Sequence, residues 1–301
     1  MIAVVSHDAG GAEILSSWLL RCGEPYCLVL EGPAKAIFQR KLGTSQTLGL
    51  QEAIKQCDWV LSGTSWQSNL ERLAIVQAKA AGKKVVSFLD HWVNYKERFQ
   101  EQGESVYPDE IWVGDVEAEK IAHTNFPGRT VILKPNPYFE DLRLAFDKVK
   151  SVSVNAGECA VLYICEPIRE HALLQHGDER YLGYTEIDAL HYFFKNVAVL
   201  GCPVCKIIVR PHPSEKKDAY DWVKQASLLN VEIGGGKTLL EEMAEVDMVV
   251  GCESMAMVVG LIAKKRVIST IPPGGNPCSL PHVEIEHMQD LVASYQRPLH
   301  A

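Results

Sequence analysis

The sequence predicts two consecutive doubly wound α/β domains that face one another across a cleft. Three observations lead there. Short, continuous, apolar runs rich in β-branched residues alternate with amphipathic segments along the chain, the pattern of parallel sheets covered by helices on both faces. The rhythm breaks once, at 134–158, where KPNPYFEDLRL brings two prolines and DKVKSVSVNAGE a polar stretch, and then it restarts. A chain of 301 residues is also long enough to divide its apolar core in two. The N-terminal domain is assigned to 1–140 and the C-terminal domain to 141–301, with 134–158 as the connection.

In the first half, IAVV (2–5) leads to a helical pattern over 12–21, and YCLVL (26–30) leads to AKAIFQRKL. WVLSG (59–63) precedes SNLERLAIVQAKAAGKK, a 3.6-period helix closed at Gly82. VVSFL (85–89), EIWVG (110–114) with the helix DVEAEKIAHTNF, and TVIL (130–133) complete the series. In the second half, CAVLYIC (159–165) is a buried strand and 166–184 reads as a long polar loop. TEIDALHYFFKNVAVLG reads as a helix, KIIVRPHPSE as a strand entering a loop, AYDWVKQASLL as a helix and NVEIGGG as a short strand with a turn. TLLEEMAEV is a helix, DMVVGCES a strand and loop, MAMVVGLIAKK a helix, RVIST a strand, and IEHMQDLVASYQ a final helix. No low-complexity segment occurs.

Composition narrows the function classes. A formal net charge of −8 and a pI near 5.7 argue against a nucleic-acid or anionic-membrane binder. No apolar run is long enough to span a bilayer, and MIAVVSHDAGG lacks the basic and long apolar regions of a signal peptide. A periplasmic-type binding protein is therefore disfavoured, and a cytoplasmic protein is expected. The nine cysteines, among them Cys27, Cys165 and Cys205 inside strand-like runs, suit reduced, buried thiols. CPVC (202–205) has no second Cys or His pair at ligand spacing, so it reads as structural rather than as a zinc site. No metal ligand is assigned and no cofactor is expected.

In doubly wound sheets ligands bind beyond the carboxyl ends of the strands, so the loops there carry the candidates. VVSHDAGGAE (4–13) places His7 and Asp8 at a strand end, where a general base belongs. Gly10 and Gly11 allow close approach at a helix N-terminus. The loop is neither G-x-G-x-x-G nor a Walker loop. FLDHWVNYKERF puts Asp90 and His91 directly after another strand, and Trp92 and Tyr95, with Lys96 and Arg98, suggest a polar-aromatic wall for a sugar. In SGTSWQS (62–68) the hydroxyls either bind substrate or cap the next helix through Ser65 or Ser68. In the second half, IIVRPHPSE delivers Arg210 and His212 into a loop stiffened by Pro211 and Pro213, and Arg210 offers a planar fork for a phosphate or carboxylate. Glu253 and Ser254 end a strand and open an apolar helix, where free backbone N–H groups could hold a phosphate. GGGKT (234–238) lacks the spacing of a triphosphate loop, and IPPGGNP (271–277) reads as a flexible rim.

Together, two Rossmann-like halves, the His-Pro loop at 212–213 and the ES…GLIAKKRVIS helix resemble the GT-B glycosyltransferases. RPHPSE is similar to the His-Pro motif of bacterial sialyltransferases and related enzymes that use cytidine-nucleotide donors, although their acidic D/E-D/E-G motif is absent. The resemblance implies a nucleotide or phosphate contact at His212, with Arg210 near it, and a donor-phosphate contact at Ser254. Relatives include a nucleotide-sugar hydrolase whose catalytic His lies in the first glycine-rich loop, the place of His7, and non-hydrolysing 2-epimerases. The expected function is a metal-independent inverting glycosyltransferase of surface-polysaccharide or glycolipid synthesis, using a CMP- or UDP-sugar. Donor binding is expected at Arg210, His212, Glu253 and Ser254. Catalysis is expected from His7, Asp8, Asp90 or His91, and acceptor contacts from Gly10, Gly11, Trp92 and Tyr95. The acceptor would be a carbohydrate or lipid-linked molecule, with peripheral membrane association and no nucleic acid. A hydrolase or epimerase, and a non-catalytic sugar- or nucleotide-binding protein, are the alternatives.

Overall fold

A computed structural model describes residues 1–65, 68–101, 103–150, 157–216, 218–226 and 229–296. The chain divides into two compact units, Met1–Asp141 and Leu142–Ala301. Each carries a six-stranded parallel sheet.

Unit 1 runs β1 (Ile2–Ser6), α1 (Ala9–Cys22), β2 (Tyr26–Leu30), α2 (Ala34–Leu42), α3 (Leu50–Gln56), β3 (Trp59–Ser62), α4 (Leu70–Ala80), β4 (Lys84–Leu89), a hairpin of β5 (Gln100–Glu101) and β6 (Glu104–Ser105), β7 (Glu110–Val113), α5 (Val116–Asn125) and β8 (Thr130–Leu133), and α6 (Pro137–Phe146) carries the chain across the division at residues 141–142. The sheet order is β2-β1-β3-β4-β7-β8. Strand β1 is buried throughout, which is why its sequence is continuously apolar rather than alternating. Ile2, Val4, Ile14, Leu15, Leu61, Val86 and Phe88 pack as one core. Glycine in the left-handed conformation ends α1 at Gly23 (φ 65°), closing the helix without the steric cost a Cβ brings there.

Unit 2 runs β9 (Cys159–Ile164), α7 (Ile168–His176), α8 (Glu186–Asn196), β10 (Val204–Arg210), α9 (Val223–Ala226), β11 (Val231–Ile233), α10 (Leu239–Ala244), β12 (Met248–Gly251), α11 (Met255–Ile262), β13 (Arg266–Ser269), β14 (Ile285–His287) and α12 (Met288–Gln296). Its sheet order is β11-β10-β9-β12-β13-β14. The core gathers Val161, Tyr163, Leu190, Phe193, Ile207, Val209, Val250 and Ile268. Capping boxes at Thr185/Asp188 and Thr238/Glu241 start α8 and α10. They satisfy two otherwise orphaned N–H groups at each helix start.

The structure corrects several sequence expectations. The segment 166–184 is not one long loop. It contains α7, which follows Pro167 and ends at Gly177 in the left-handed conformation; only Ile168 and Ala172 of its face are buried, so its polar surface hides the period. The prolines at 134–144 do not break the chain either. Pro137 is the first residue of α6, where a missing N–H costs nothing, and the Asn136 side chain accepts from the N–H groups of Tyr138 and Phe139 at 3.0 and 3.4 Å. Of the polar stretch that follows, residues 151–156 lie outside the described residues. Among the described residues the AYDWVKQASLL helix is a single turn, α9, the start of IEHMQDLVASYQ is strand β14 rather than helix, and α3 and the β5–β6 hairpin are additions. Cys159 and Cys202 are joined as a disulfide, so the expectation of reduced thiols fails for that pair; the other seven cysteines are free. Among the described residues, no helix is long and apolar enough to cross a membrane.

Candidate functional site

In an open parallel sheet, a crevice opens where two neighbouring strands send their connections in opposite directions. In unit 1 this point lies between β1 and β3. The β1 loop brings His7 and Asp8 there, and the β3 loop brings Thr64 and Ser65. His7 Nδ1 is 2.6 Å from Asp8 Oδ1, and Ser65 Oγ donates to the same carboxylate oxygen at 2.8 Å. Asp8 stands at the N-cap position of α1 but makes no capping bond; its carboxylate is spent on His7 and Ser65 instead. An ionised Asp8 can only accept, so the imidazole proton sits on Nδ1 and Nε2 presents its lone pair. The His7 side chain keeps 17 % of its surface exposed. Its Nε2 edge lies against Gly32, whose φ is +49° and whose missing Cβ would stand 2.6 Å from that atom. Glycine is required there on both counts.

Behind His7 stands a residue that the sequence reading missed. Glu71, 2 % exposed, accepts the backbone N–H of His7 at 2.7 Å, and its other oxygen has no partner. Burial pushes its carboxyl up to about 7, against the pull of the His7 N–H. A signal for it exists: Glu71, Ala74, Ile75 and Ala78 form the buried face of α4, at the i, i+3, i+4, i+7 spacing of an inward stripe.

The β4 loop joins the same end of the sheet. Asp90 Oδ1 accepts from Arg98 Nη1 at 2.8 Å and from Thr64 Oγ1 at 3.1 Å, and Arg98 also donates to Thr64. Both charged side chains are 9 % exposed, so Asp90 is the buried partner of a cation rather than a free base. A Cβ at Gly10 would land on the Asp90 carboxylate, and one at Gly11 would stand 3.3 Å from Gly63 Cα; the two glycines bring the three loops together. His91 is half-buried, with Nδ1 accepting the Trp92 N–H at 3.0 Å. Trp92 and Tyr95 do not form a sugar-facing wall. They are 5 % and 2 % exposed. Trp92 Nε1 donates to Asp115, and Tyr95 stacks on Phe126 with centroids 6.0 Å apart, so their aromatic area serves the core.

In unit 2 the crevice lies between β9 and β12, while the His-Pro loop ends β10. His212 Nδ1 accepts from the Ser214 N–H at 3.2 Å and lies 2.7 Å from Ser214 Oγ, which leaves Nε2–H as a donor in the neutral ring. Burial lowers its pKa; Glu215 opposes this and His171 adds to it. Glu215 accepts the His212 backbone N–H and the Tyr220 hydroxyl, holding the loop. A cavity of about 420 Å³ lies against Pro211, His212, Pro213, Glu215, Ile233 and Gly234–Gly236, within the range of small-molecule sites, roughly 300–1,000 Å³. Arg210 is close by, yet its Nη1 is engaged by Glu242 at 2.7 Å and by the Lys237 carbonyl at 3.0 Å. Glu242, 3 % exposed, also accepts the Gly235 N–H, so GGGKT is a buttress of the Arg210 pair.

Ser254 caps α11 by accepting from the Ala256 N–H at 3.2 Å, and Glu253 accepts the Ser279 N–H at 3.0 Å. The backbone N–H groups here are not free, as the sequence reading supposed. Those of Cys252, Glu253 and Ser254 all donate to Glu166 Oε1, at 3.2, 2.9 and 3.0 Å. Burial pushes the Glu166 carboxyl up to about 7, and the three donors only partly offset this. No local pattern marks Glu166, because its partners lie 86–88 residues downstream. Among the described residues no group of three His, Cys, Asp or Glu side chains is placed to hold a metal ion.

No family model and no curated protein matches the chain. Solved structures do match. MnaA of S. aureus, solved with UDP, superposes with a TM-score of 0.60 at 10 % identity, covering 100 % of this chain and 88 % of that one. The glycotransferase of kitacinnamycin superposes with a TM-score of 0.54 at 12 % identity, covering 99 % and 91 %. At such identities the likeness is one of fold: two Rossmann-like α/β units of the GT-B type.

Proposed function

We propose that this GT-B-fold chain is a nucleotide-sugar enzyme, and specifically an inverting glycosyltransferase that needs no metal ion. The observation that carries the reading is the His7–Asp8 pair at the switch point of unit 1, a half-buried carboxylate holding an imidazole with Nε2 free to take a proton. That arrangement is the base half of many group-transfer sites. Unit 1 supplies the base. Nε2 removes the proton of the acceptor hydroxyl as its oxygen attacks the anomeric carbon, and the bond from that carbon to the phosphate oxygen breaks with inversion. Asp8 stabilises the imidazolium that forms. Unit 2 holds the donor, with the nucleoside in the 420 Å³ cavity and the His212 Nε2–H directed to its phosphate, which stabilises the charge on the departing nucleotide. Arg210 then acts as a positioning residue through Glu242. Likeness to a UDP-bound structure supports a pyrimidine nucleotide, CMP or UDP, as carrier. Surface-polysaccharide or glycolipid synthesis is the expected setting.

A second reading keeps the donor site and replaces the acceptor by water, or has the sugar epimerised. It is favoured by the small exposure of His7, 17 %, which suits a water-sized nucleophile.

The test is a thermal-shift screen with CMP, CDP, UDP, GDP and ADP, since a ligand that binds only the native state raises Tm. A selective rise with one cytidine or uridine nucleotide, lost in His212→Ala, is expected. No rise with any nucleotide would remove the nucleotide-sugar reading.

A further inference from the structure

The aromatic residues after β4 pack inward, but the same loop brings a polar pair to the carboxyl end of the first sheet. Arg98 and Asp90 are joined through one atom of each. Arg98 Nη1 donates to Asp90 Oδ1 and to Thr64 Oγ1, both at 2.8 Å, and Thr64 donates to the same Oδ1 at 3.1 Å. Arg98 Nε donates to the Val93 carbonyl at 3.3 Å, which fixes the plane of the guanidinium. Nη2 and Oδ2 are left over: among the described residues neither makes a hydrogen bond. The side-chain atoms that are buried without a partner lie elsewhere, so Nη2 and Oδ2 reach solvent, within the 9 % of each side chain that stays exposed. Arg266 shows the contrasting case of a guanidinium used as a strut. Its Nε and Nη2 donate to the two oxygens of Glu286 and its Nη1 to the Leu200 carbonyl, with no nitrogen to spare. Gly10 gives Oδ2 its room, since a Cβ there would collide with it. Thr64 is followed directly by Ser65, which holds Asp8, so the pair opens beside the His7–Asp8 group.

We propose that the Arg98–Asp90 pair is a hydroxyl-binding subsite that takes two adjacent hydroxyls of a neutral sugar acceptor, Asp90 Oδ2 accepting from one and Arg98 Nη2–H donating to the other. The inference rests on the reading of unit 1 as the acceptor side. Charge selects the ligand class. Arg98 and Asp90 cancel, and Asp8 adds a second carboxylate near them, so a phosphate or carboxylate meets net negative charge. A cation finds one open oxygen with a guanidinium beside it. A hydroxyl carries no charge and both donates and accepts, so two neighbouring hydroxyls match one open acceptor and one open donor. Both hydrogen bonds are charge-assisted. Both protein groups are already held by Thr64 and Val93, so little side-chain freedom is lost when a ligand arrives. The pair thus supplies the sugar contacts that Trp92 and Tyr95, facing the core, do not.

The methyl α-pyranosides of glucose, galactose and mannose are suitable probes, because between them they present neighbouring hydroxyls in both cis and trans arrangements. Their affinities are measured by ligand-detected NMR titration for the parent chain, Arg98→Lys and Asp90→Asn. Lysine keeps a cation for Oδ1 but has no second nitrogen. Asparagine keeps an oxygen for Nη1 but puts an N–H donor where Oδ2 accepts. At least one glycoside should bind the parent, and each substitution should weaken it at least about tenfold, the loss of one charge-assisted hydrogen bond. In the deoxy forms of that glycoside, removing either hydroxyl of one adjacent pair should cost the parent about tenfold, and the matching substitution should then cost nothing more. Equal binding by all three proteins, no binding of any glycoside, or a deoxy series that marks no adjacent pair overturns the inference. Inorganic phosphate bound by the parent and weakened in Arg98→Lys also overturns it, by making the site one for anions. If neither variant folds, Gly10→Ala decides, because its methyl pushes Oδ2 aside; a glycoside affinity equal to the parent's overturns the inference. UDP and CMP titrated alongside separate the two readings. A glycoside held by the pair with no nucleotide bound would retain the subsite and sink the nucleotide-sugar reading. A nucleotide bound with no glycoside bound would retain that reading and sink the subsite.

Discussion

His7 and Arg210 show how differently two strand-end residues can be used. His7 is held at both ends, by Asp8 at its ring and by Glu71 at its backbone, with the proton-accepting nitrogen left unbonded. His7→Ala and Asp8→Asn should each lower kcat by about 10²–10⁴-fold while leaving nucleotide affinity unchanged; steady-state kinetics beside calorimetry reads both. Loss of affinity with unchanged kcat would move the base elsewhere. Arg210 is tied into the protein. Arg210→Ala leaves Glu242 buried and uncompensated, a loss of about 3–5 kcal/mol that urea unfolding should detect. A stability equal to the parent's would return Arg210 to the role of a ligand contact.

Among the elements, those with an unbroken apolar run or a clear period were legible from residue order alone: the six strands of the first sheet, all of the second except the three-residue β14, which was read as the start of the final helix, and helices such as α4, α5 and α8. Their burial is what the pattern records. Elements with little buried face were not. Helix α7 buries only Ile168 and Ala172, and α6 begins on a proline that composition alone assigns to a linker. The candidate site was legible where charge follows a strand directly, as at His7, Asp8 and His212. It was illegible where the partner is remote, as for Glu71 and Glu166, and Trp92 and Tyr95 misled because an aromatic near polar residues packs inward as readily as it faces a sugar. The first turn of α1 gives a further test. Gly10→Ala places a methyl on the Asp90 carboxylate, an overpacking that costs about 1–3 kcal/mol, and it should loosen the loops that carry Asp8 and Asp90. A thermal midpoint unchanged from the parent would show that the Asp90 carboxylate moves aside without penalty.

Across the whole molecule, two buried carboxyls, one in each unit, are held near pH 7 rather than near 4.5. Both native pKa values are raised, so the native state holds two protons that the unfolded chain has released once the pH exceeds about 4.5. Stability from these groups is then fully present below that pH and falls as pH rises towards 7. A shift of this size corresponds to roughly 3 kcal/mol for each group. Urea midpoints should decline between pH 5 and pH 7.5, and Glu71→Gln should flatten the decline and stabilise the protein at pH 8. A parallel decline in that variant would place the linkage elsewhere.

The two sheets also differ in when they can be completed. In unit 1 the third strand lies beside the first, so the Asp8–Ser65 contact closes a span of 57 residues. In unit 2 the second and third strands go to one side, and Glu166 meets the β12 loop only after 86 more residues. A chain emerging from the ribosome forms domains in order from its N-terminus, and long-span contacts form slowly because loop closure must come first. The His7 site should therefore be assembled while most of the chain is still being made. The loop after β9 must wait, with its carboxylate in water, until β12 arrives. Stalled nascent chains arrested near residue 240, after α7 (Ile168–His176) and before β12 (Met248–Gly251), should carry a protected β1–β3 loop cluster and an α7 still open to proteolysis.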